Sequence, residues 1–177
     1  MQIVTLDFET FYDKQYSLSK LTTEEYIRDH RFETIGVATK VNEKTTTWCS
    51  GTHSEIQDYL DEIDWSNSVL VAHNSMFDAA ILSWHFNIKP KIVADTLSMS
   101  RAIDGVNVKH SLAAVSARHE VGQKGTEVIN ALGKQRKDFT AEELEQYGKY
   151  CINDVDLCFK LFCRFGKHFT LEELEII

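Results

Sequence analysis

The opening of the chain constrains its fold more than any other stretch. Ile3, Val4, Leu6 and Phe8 crowd the first nine residues, and two carboxylates, Asp7 and Glu9, are set into the end of that run. Apolar side chains at both odd and even positions describe a strand that is largely buried, with carboxylates at its exit. The pleat points Asp7 and Glu9 to the same side. Like charges held together in this way repel unless something positive lies between them. On this pair alone a solvated strand end is an equally good reading, since a D-x-E triplet arises about once by chance in a chain of this size.

Behind that strand the apolar period alternates between strand and helix. Thr22 with Glu25 forms a capping box opening a short helix to about His30. Phe32 to Val41 and Lys44 to Cys49 predict a hairpin turning at Asn42-Glu43. Ile56, Leu60 and Ile63 mark a helix within 52 to 63, Ser68 to His73 a short apolar strand, and Ser75 to about Phe86 a further helix. A strand at 92 to 94 and helices near 96 to 103 and 110 to 118 follow. Residues 122 to 137 predict a loop, with glycines at 122, 125 and 133 and the densest basic patch of the chain. Thr140 with Glu143 opens a final helix to about Arg164, in one piece or in two abutting at Gly148. The pattern predicts an α/β domain, a central mixed β-sheet flanked by α-helices.

Composition narrows the classes. At 177 residues and 43% hydrophobic, with one proline and eight glycines, the chain fits a single globular domain and excludes low-complexity and collagen-like architectures. A net charge of -8 argues against adhesion to nucleic acid through a broad basic surface. It does not exclude a nuclease, because carboxylates that hold divalent cations are neutralised in the loaded site. Cys49, Cys151, Cys158 and Cys163 form no C-x-x-C pair, so a reducing cytosol is the simplest home. With no export signal and no apolar stretch of about 18 residues, a cytoplasmic location is expected, or the host cytoplasm for a phage-encoded protein.

Two further places stand out. Asp78 sits among Phe77, Ala79, Ala80, Ile81 and Leu82, where an unpaired carboxylate is costly. Asn74, four residues earlier, suits a helix N-cap. Tyr150 and Asp154, four apart on the last helix, share a face beside Cys151, Val155, Cys158 and Phe162; taken alone, that pair describes an exposed helix face. Asp95 before Thr96 is expected to cap a helix. His53, His73, His85, His110 and His119 have no metal-ligand spacing with the cysteines, and no phosphate-cradling glycine loop appears.

Taken in order, Leu6-Asp7-Phe8-Glu9-Thr10, His73-Asn74-Ser75-Met76-Phe77-Asp78 and Tyr150-Cys151-Ile152-Asn153-Asp154 resemble the three motifs of the DnaQ-like (DEDD) 3′-5′ exonucleases. Tyr150 and Lys149, where the other subclass has histidine, place the likeness with the tyrosine (DEDDy) subclass. It is nearest to the proofreading domain of phage family A DNA polymerases and covers nearly the whole chain. The resemblance implies an RNase H-like fold and hydrolysis assisted by two Mg²⁺ or Mn²⁺ ions. It implies that Asp7 bridges both ions, that Glu9 and Asp154 complete the site of the ion activating water, and that Asp78 holds the second ion through water. The four carboxylates and two ions sum to neutrality. Tyr150, with an ordinary pKa near 10, would orient water rather than act as a base. Thr10, Asn74 and Phe77 would contact the terminal nucleotide, with Phe77 or Phe8 offering a base or sugar an apolar surface. Lys124, Lys134, Arg136 and Lys137 are candidates for phosphate contacts, against a solvated loop for any one of them.

The expected function is removal of 5′-mononucleotides from single-stranded or frayed DNA 3′ ends, as a proofreading module. An exoribonuclease of the same superfamily and a non-catalytic nucleic-acid-binding domain are the alternatives, the last disfavoured by the complete ligand set. Leu171, Leu174, Ile176 and Ile177 continue an apolar, partly helical pattern with no C-terminal cap. With the resemblance, this predicts that residues 170 to 177 begin a connector to a polymerase domain or a docking segment for a polymerase partner.

Overall fold

The structure is a computed structural model and describes residues 1–125, 130–170 and 173. In chain order the elements are β1 (Gln2–Thr10), α1 (Thr23–Arg28), β2 (Thr34–Val41), β3 (Thr47–Cys49), α2 (His53–Asp61), β4 (Ser68–Ala72), α3 (Ser75–His85), β5 (Ile92–Asp95), α4 (Thr96–Asp104), α5 (Leu112–Arg118) and α6 (Ala141–Phe165). The strands form one sheet of order β3-β2-β1-β4-β5. β1 lies antiparallel to β2 and parallel to β4, and β5 runs parallel to β4. The mixed α/β architecture matches the sequence expectation.

β1 is covered on both faces, as its double-sided apolar pattern requires. Val4, Leu6 and Phe8 pack with Ile27 of α1, Ile56 and Leu60 of α2, and Ile81 and Leu82 of α3. On the opposite face Ile3 and Val71 meet Met99 of α4, Val115 of α5, and Leu157, Leu161 and Phe165 of α6. Asp7 and Glu9 share the parity of Ile3 and therefore look toward α6.

The capping boxes at Thr22 and Thr140 open α1 and α6 as expected, and Thr52 with Glu55 forms a third at α2. α1 ends at Arg28, short of His30, because Asp29 leaves the helix and its carboxylate takes Arg31 Nε and NH2, each at 2.8 Å. β3 starts at Thr47, later than expected, since Thr46 turns inward to donate its hydroxyl to Asp156 at 2.5 Å.

Gly148 does not interrupt the last helix: α6 is continuous over 25 residues. A Cβ at Gly148 would stand 2.5 Å from Trp48 Cδ1, and one at Gly36 would also strike the Trp48 ring. The two glycines are a slot for an indole, through which β2, β3 and α6 approach one another. Asn74 is not a side-chain cap either. It adopts the left-handed region at φ 75° and makes no capping bond. Asp95 Oδ1 instead accepts from Asn74 N at 2.8 Å and Ser75 N at 3.2 Å, while its carboxylate also caps α4 through Leu97 N and Ser98 N. One aspartate thus closes two helix starts.

Of residues 170 to 177, expected to begin a connector or a docking segment, 171, 172 and 174–177 lie outside the described residues, as do 126–129 of the basic loop. Thr170 and Glu173 make a reciprocal pair, Thr170 N to Glu173 Oε2 at 2.8 Å and Glu173 N to Thr170 Oγ1 at 3.3 Å.

Candidate active site

β1 outruns its parallel neighbour. Its ladder with β4 covers Gln2 to Thr5, and beyond that point the β4 side of β1 is open. Asp78, on the first turn of α3, fills the opening: its Oδ1 accepts from Phe8 N at 3.1 Å. The apolar surroundings that make Asp78 conspicuous in the sequence place it 3% exposed beside Asp7.

From the other side α6 lays residues 147, 150, 151 and 154 along one face. The Cys151 thiol donates toward Asp7 O at 3.4 Å and Asp7 Oδ2 at 3.5 Å. Tyr147 is buried beside Glu9, where its hydroxyl opposes the rise in that carboxyl's pKa. Lys124, from the basic loop, ion-pairs with Asp154 Oδ2 at 2.7 Å and stands 4.9 Å from the centre of the Tyr150 ring. Asp7, Glu9, Asp78, Asp154 and Tyr150 are thus brought together from three elements, with Lys124 added from a loop.

Sequence reasoning passed over Tyr147 and Cys151 as site residues. Their signal was spacing, since both lie on the helical face that carries Tyr150 and Asp154.

The electrostatics are those of a crowded anionic cluster. Burial, then the charge of Asp154, pushes the Asp7 carboxyl up to about 7. Burial and Asp7 likewise raise Glu9 and Asp78 well above the ordinary carboxylate range. Burial raises Asp154 despite the opposing Lys124. Burial by itself would lower Lys124, but its bonds to Asp154 and Tyr150 hold its pKa above the usual lysine value. Burial also raises Tyr150, so its hydroxyl keeps its proton at neutral pH.

One ammonium does not balance four carboxylates. Asp154 Oδ1 is buried with no hydrogen-bond partner among the described residues, and the ligand atoms of Asp7, Glu9 and Cys151 lie within 4.8 Å of one another. Hard oxygen donors in excess of local positive charge suit a divalent cation.

The remaining candidates fall elsewhere. Thr10 is buried, its Oγ1 2.8 Å from Tyr26 Oη. Phe77 is half-buried, its ring centre 6.0 Å from that of Tyr26. Asn74 is exposed at the mouth of α3. Phe8 offers no surface to a base: it points away from Asp7 and Glu9, is 4% exposed and stacks on Phe86 at 5.7 Å. Lys134 pairs with Glu143 at 2.6 Å, and Arg136 bonds Ser50 through Nε at 3.2 Å and NH2 at 3.1 Å. Arg136 and the exposed Lys137 line a separate cavity of about 270 Å³ with Glu33, His53 and His85. Of the four bases, Lys124 alone is shown bonded to the carboxylates.

The fold recurs in solved structures. Brucella melitensis NrnC superposes with a TM-score of 0.67 at 16% identity, covering 93% of this chain and 72% of that one. Trypanosoma brucei RNase D in its GMP complex gives 0.66 at 15% identity, covering 91% of this chain and 49% of that one. The family B DNA polymerase of the archaeon Pyrobaculum calidifontis gives 0.65 at 15% identity, covering 94% of this chain and 24% of that one. At these identities the likeness is one of fold. No curated protein sequence matches the chain significantly. The profile of the 3′-5′ exonuclease family (DNA_pol_A_exo1) matches residues 13–169, which take in Asp78, Tyr150 and Asp154 and begin after the strand that carries Asp7 and Glu9, and on that match over most of its length the chain belongs to the 3′-5′ exonuclease family.

Proposed function

We propose that the protein removes 5′-mononucleotides from the 3′ end of single-stranded or frayed DNA, as a proofreading activity. The observation that carries this reading is the convergence of Asp7, Glu9, Asp78 and Asp154 beside Tyr150 in a chain whose family profile is named for DNA polymerase A. Two Mg²⁺ or Mn²⁺ ions, when bound, would supply an activated water and stabilise charge on the phosphate and the departing 3′ oxygen. Asp7 would hold both, Glu9 and Asp154 the one nearer the water, and Asp78 the other.

Tyr150 keeps its proton and orients the water by hydrogen bonding. Lys124, ion-paired with Asp154 and set against the Tyr150 ring, would offer its ammonium to an incoming phosphate. By the family likeness Thr10, Asn74 and Phe77 would contact the terminal nucleotide. A buried carboxylate cluster reaches only a nucleotide that has left the duplex, and unstacking costs a few kcal/mol. Frayed and mismatched ends therefore react first. Such an enzyme would work in the cytoplasm beside a polymerase domain or a polymerase partner.

A second reading, an exoribonuclease, is favoured by two neighbours of the same fold, NrnC solved with bound pGG and with Mg²⁺, and RNase D solved with RNA U12. One assay separates them: 5′-labelled DNA and RNA oligonucleotides of one sequence, single-stranded and blunt, with Mg²⁺. Stepwise shortening of single-stranded DNA faster than of RNA or of blunt duplex is expected. Preference for RNA would move the protein to the second reading, and equal rates on blunt and single-stranded DNA would overturn the frayed-end mechanism.

A further inference from the structure

The hard-metal chemistry above uses carboxylates and leaves one group at the site unemployed. Cys151 is fully buried, yet its sulfur faces the same space as the carboxylates of Asp7 and Glu9, all three ligand atoms lying within 4.8 Å of one another. The thiol donates to Asp7 Oδ2 at 3.5 Å. Three residues along α6, on the same helical face, Asp154 is 5% exposed with an Oδ1 that has no partner among the described residues. Mg²⁺ and Mn²⁺ have little use for sulfur, whereas zinc-class cations take mixed sulfur and oxygen sets.

We infer that Asp7, Glu9 and Cys151 form a site for a thiophilic divalent cation of the zinc class, overlapping the hard-metal site, and that such a cation inhibits the enzyme by taking Asp7 and Glu9 out of service. The inference rests on the proposed hydrolytic role of those carboxylates only for its inhibitory half.

A tetrahedral zinc ion with sulfur at about 2.3 Å and oxygens at about 2.0 to 2.2 Å needs ligand separations of about 3.5 Å, a closure of roughly 1 Å that side-chain rotation supplies. On binding, the sulfur–hydrogen bond breaks, the sulfur electron pair forms the bond to the cation, and the proton leaves to solvent. No oxidant or reductant takes part.

The test uses Cd²⁺ as a spectroscopic probe in a Cys49→Ser/Cys163→Ser background, which removes the half-buried and exposed thiols and leaves the buried Cys151 and Cys158. Cadmium should bind with one ion per chain and produce the ultraviolet thiolate-to-cadmium charge-transfer band. Adding Cys151→Ser should abolish the band and weaken cadmium binding by calorimetry at least tenfold, while Cys158→Ala should leave both. Should Cys151→Ser fail to fold, Asp7→Asn keeps the thiol and should raise the half-saturating cadmium concentration at least tenfold. Absence of the band, or its persistence at unchanged cadmium concentration in either variant, overturns the inference. A protein that shows the band but digests neither DNA nor RNA with Mg²⁺ would count against the hydrolytic reading and leave the site standing; one that digests DNA and shows no band would do the reverse.

Discussion

Asp7 is a carboxylate that the native fold holds at a disadvantage. Its acid dissociates at about 7 in the folded chain against an ordinary 3.8, so between those values the native state retains a proton that the unfolded chain has released. The contribution of Asp7 to the stability of the chelated protein therefore falls as pH rises from about 4 through about 7, and Glu9 and Asp78, raised by the same burial, add losses of the same sign. Asp7→Asn carries no such charge. Its melting temperature in EDTA should match the wild type near pH 4 and exceed it above pH 7, while hydrolysis with Mg²⁺ drops to trace; a variant less stable than wild type at pH 8 would contradict the repulsion argument.

Tyr150→Phe removes one hydrogen bond and no carboxylate. It should slow single-turnover hydrolysis about tenfold to a hundredfold with the Mg²⁺ dependence unchanged. Because Lys124 touches both Tyr150 and Asp154, Lys124→Met and Tyr150→Phe should be non-additive in a double-mutant cycle. Strict additivity in rate would show that the lysine does not act through the tyrosine.

The elements explain how much of this was legible beforehand. β1 could be read because a strand buried on both faces shows apolar residues at both parities, and its carboxylates stood out against them. Asp78 could be read because its neighbours are apolar, and Tyr150 with Asp154 because helical spacing is local. What stayed hidden depends on partners distant in sequence. Nothing near Gly148 announces the indole of Trp48, a hundred positions earlier, so a glycine that admits a close contact looks like a helix break. Nothing near Asn74 shows that Asp95 supplies the cap it lacks. Phe8 looked available because the side of the sheet that α3 would cover is not written in β1.

The glycine slot has a measurable consequence. Gly148→Ala should destabilise the fold by about 1 to 3 kcal/mol in urea, since the Cβ overpacks a rigid ring. In a Trp48→Ala background the same change should cost almost nothing. An equal cost in both backgrounds would mean that the helix, rather than the indole, objects to the side chain.

Over the whole molecule, the anionic cluster makes folding and cation binding a linked pair. Any divalent ion that binds the native cluster and not the open chain stabilises the fold, by about 2.7 kcal/mol at a hundred times its dissociation constant. Titrating Mn²⁺ into chelated protein should raise the melting temperature progressively, EDTA should reverse the gain, and Asp7→Asn should remove most of it. A melting temperature indifferent to Mn²⁺ would mean that the carboxylates do not hold it.

The place of β1 decides how this enzyme can fail. Asp7 and Glu9 sit on the central strand, where β1 pairs with β2 along one side and, past the end of its β4 ladder at Thr5, is held on the other by Asp78 through the Phe8 amide, with a helix layer against each face. Such a stretch has no fraying route of its own: its amides are freed only when the sheet and α3 come apart together. The chemistry therefore has the same lifetime as the fold. A partly opened molecule that still hydrolyses nucleic acid, or an intact one whose carboxylates have come loose, has no place on the unfolding path. Amide exchange at Asp7 should be as slow as the slowest in the protein, and loss of activity in denaturant should trace the same curve as loss of structure.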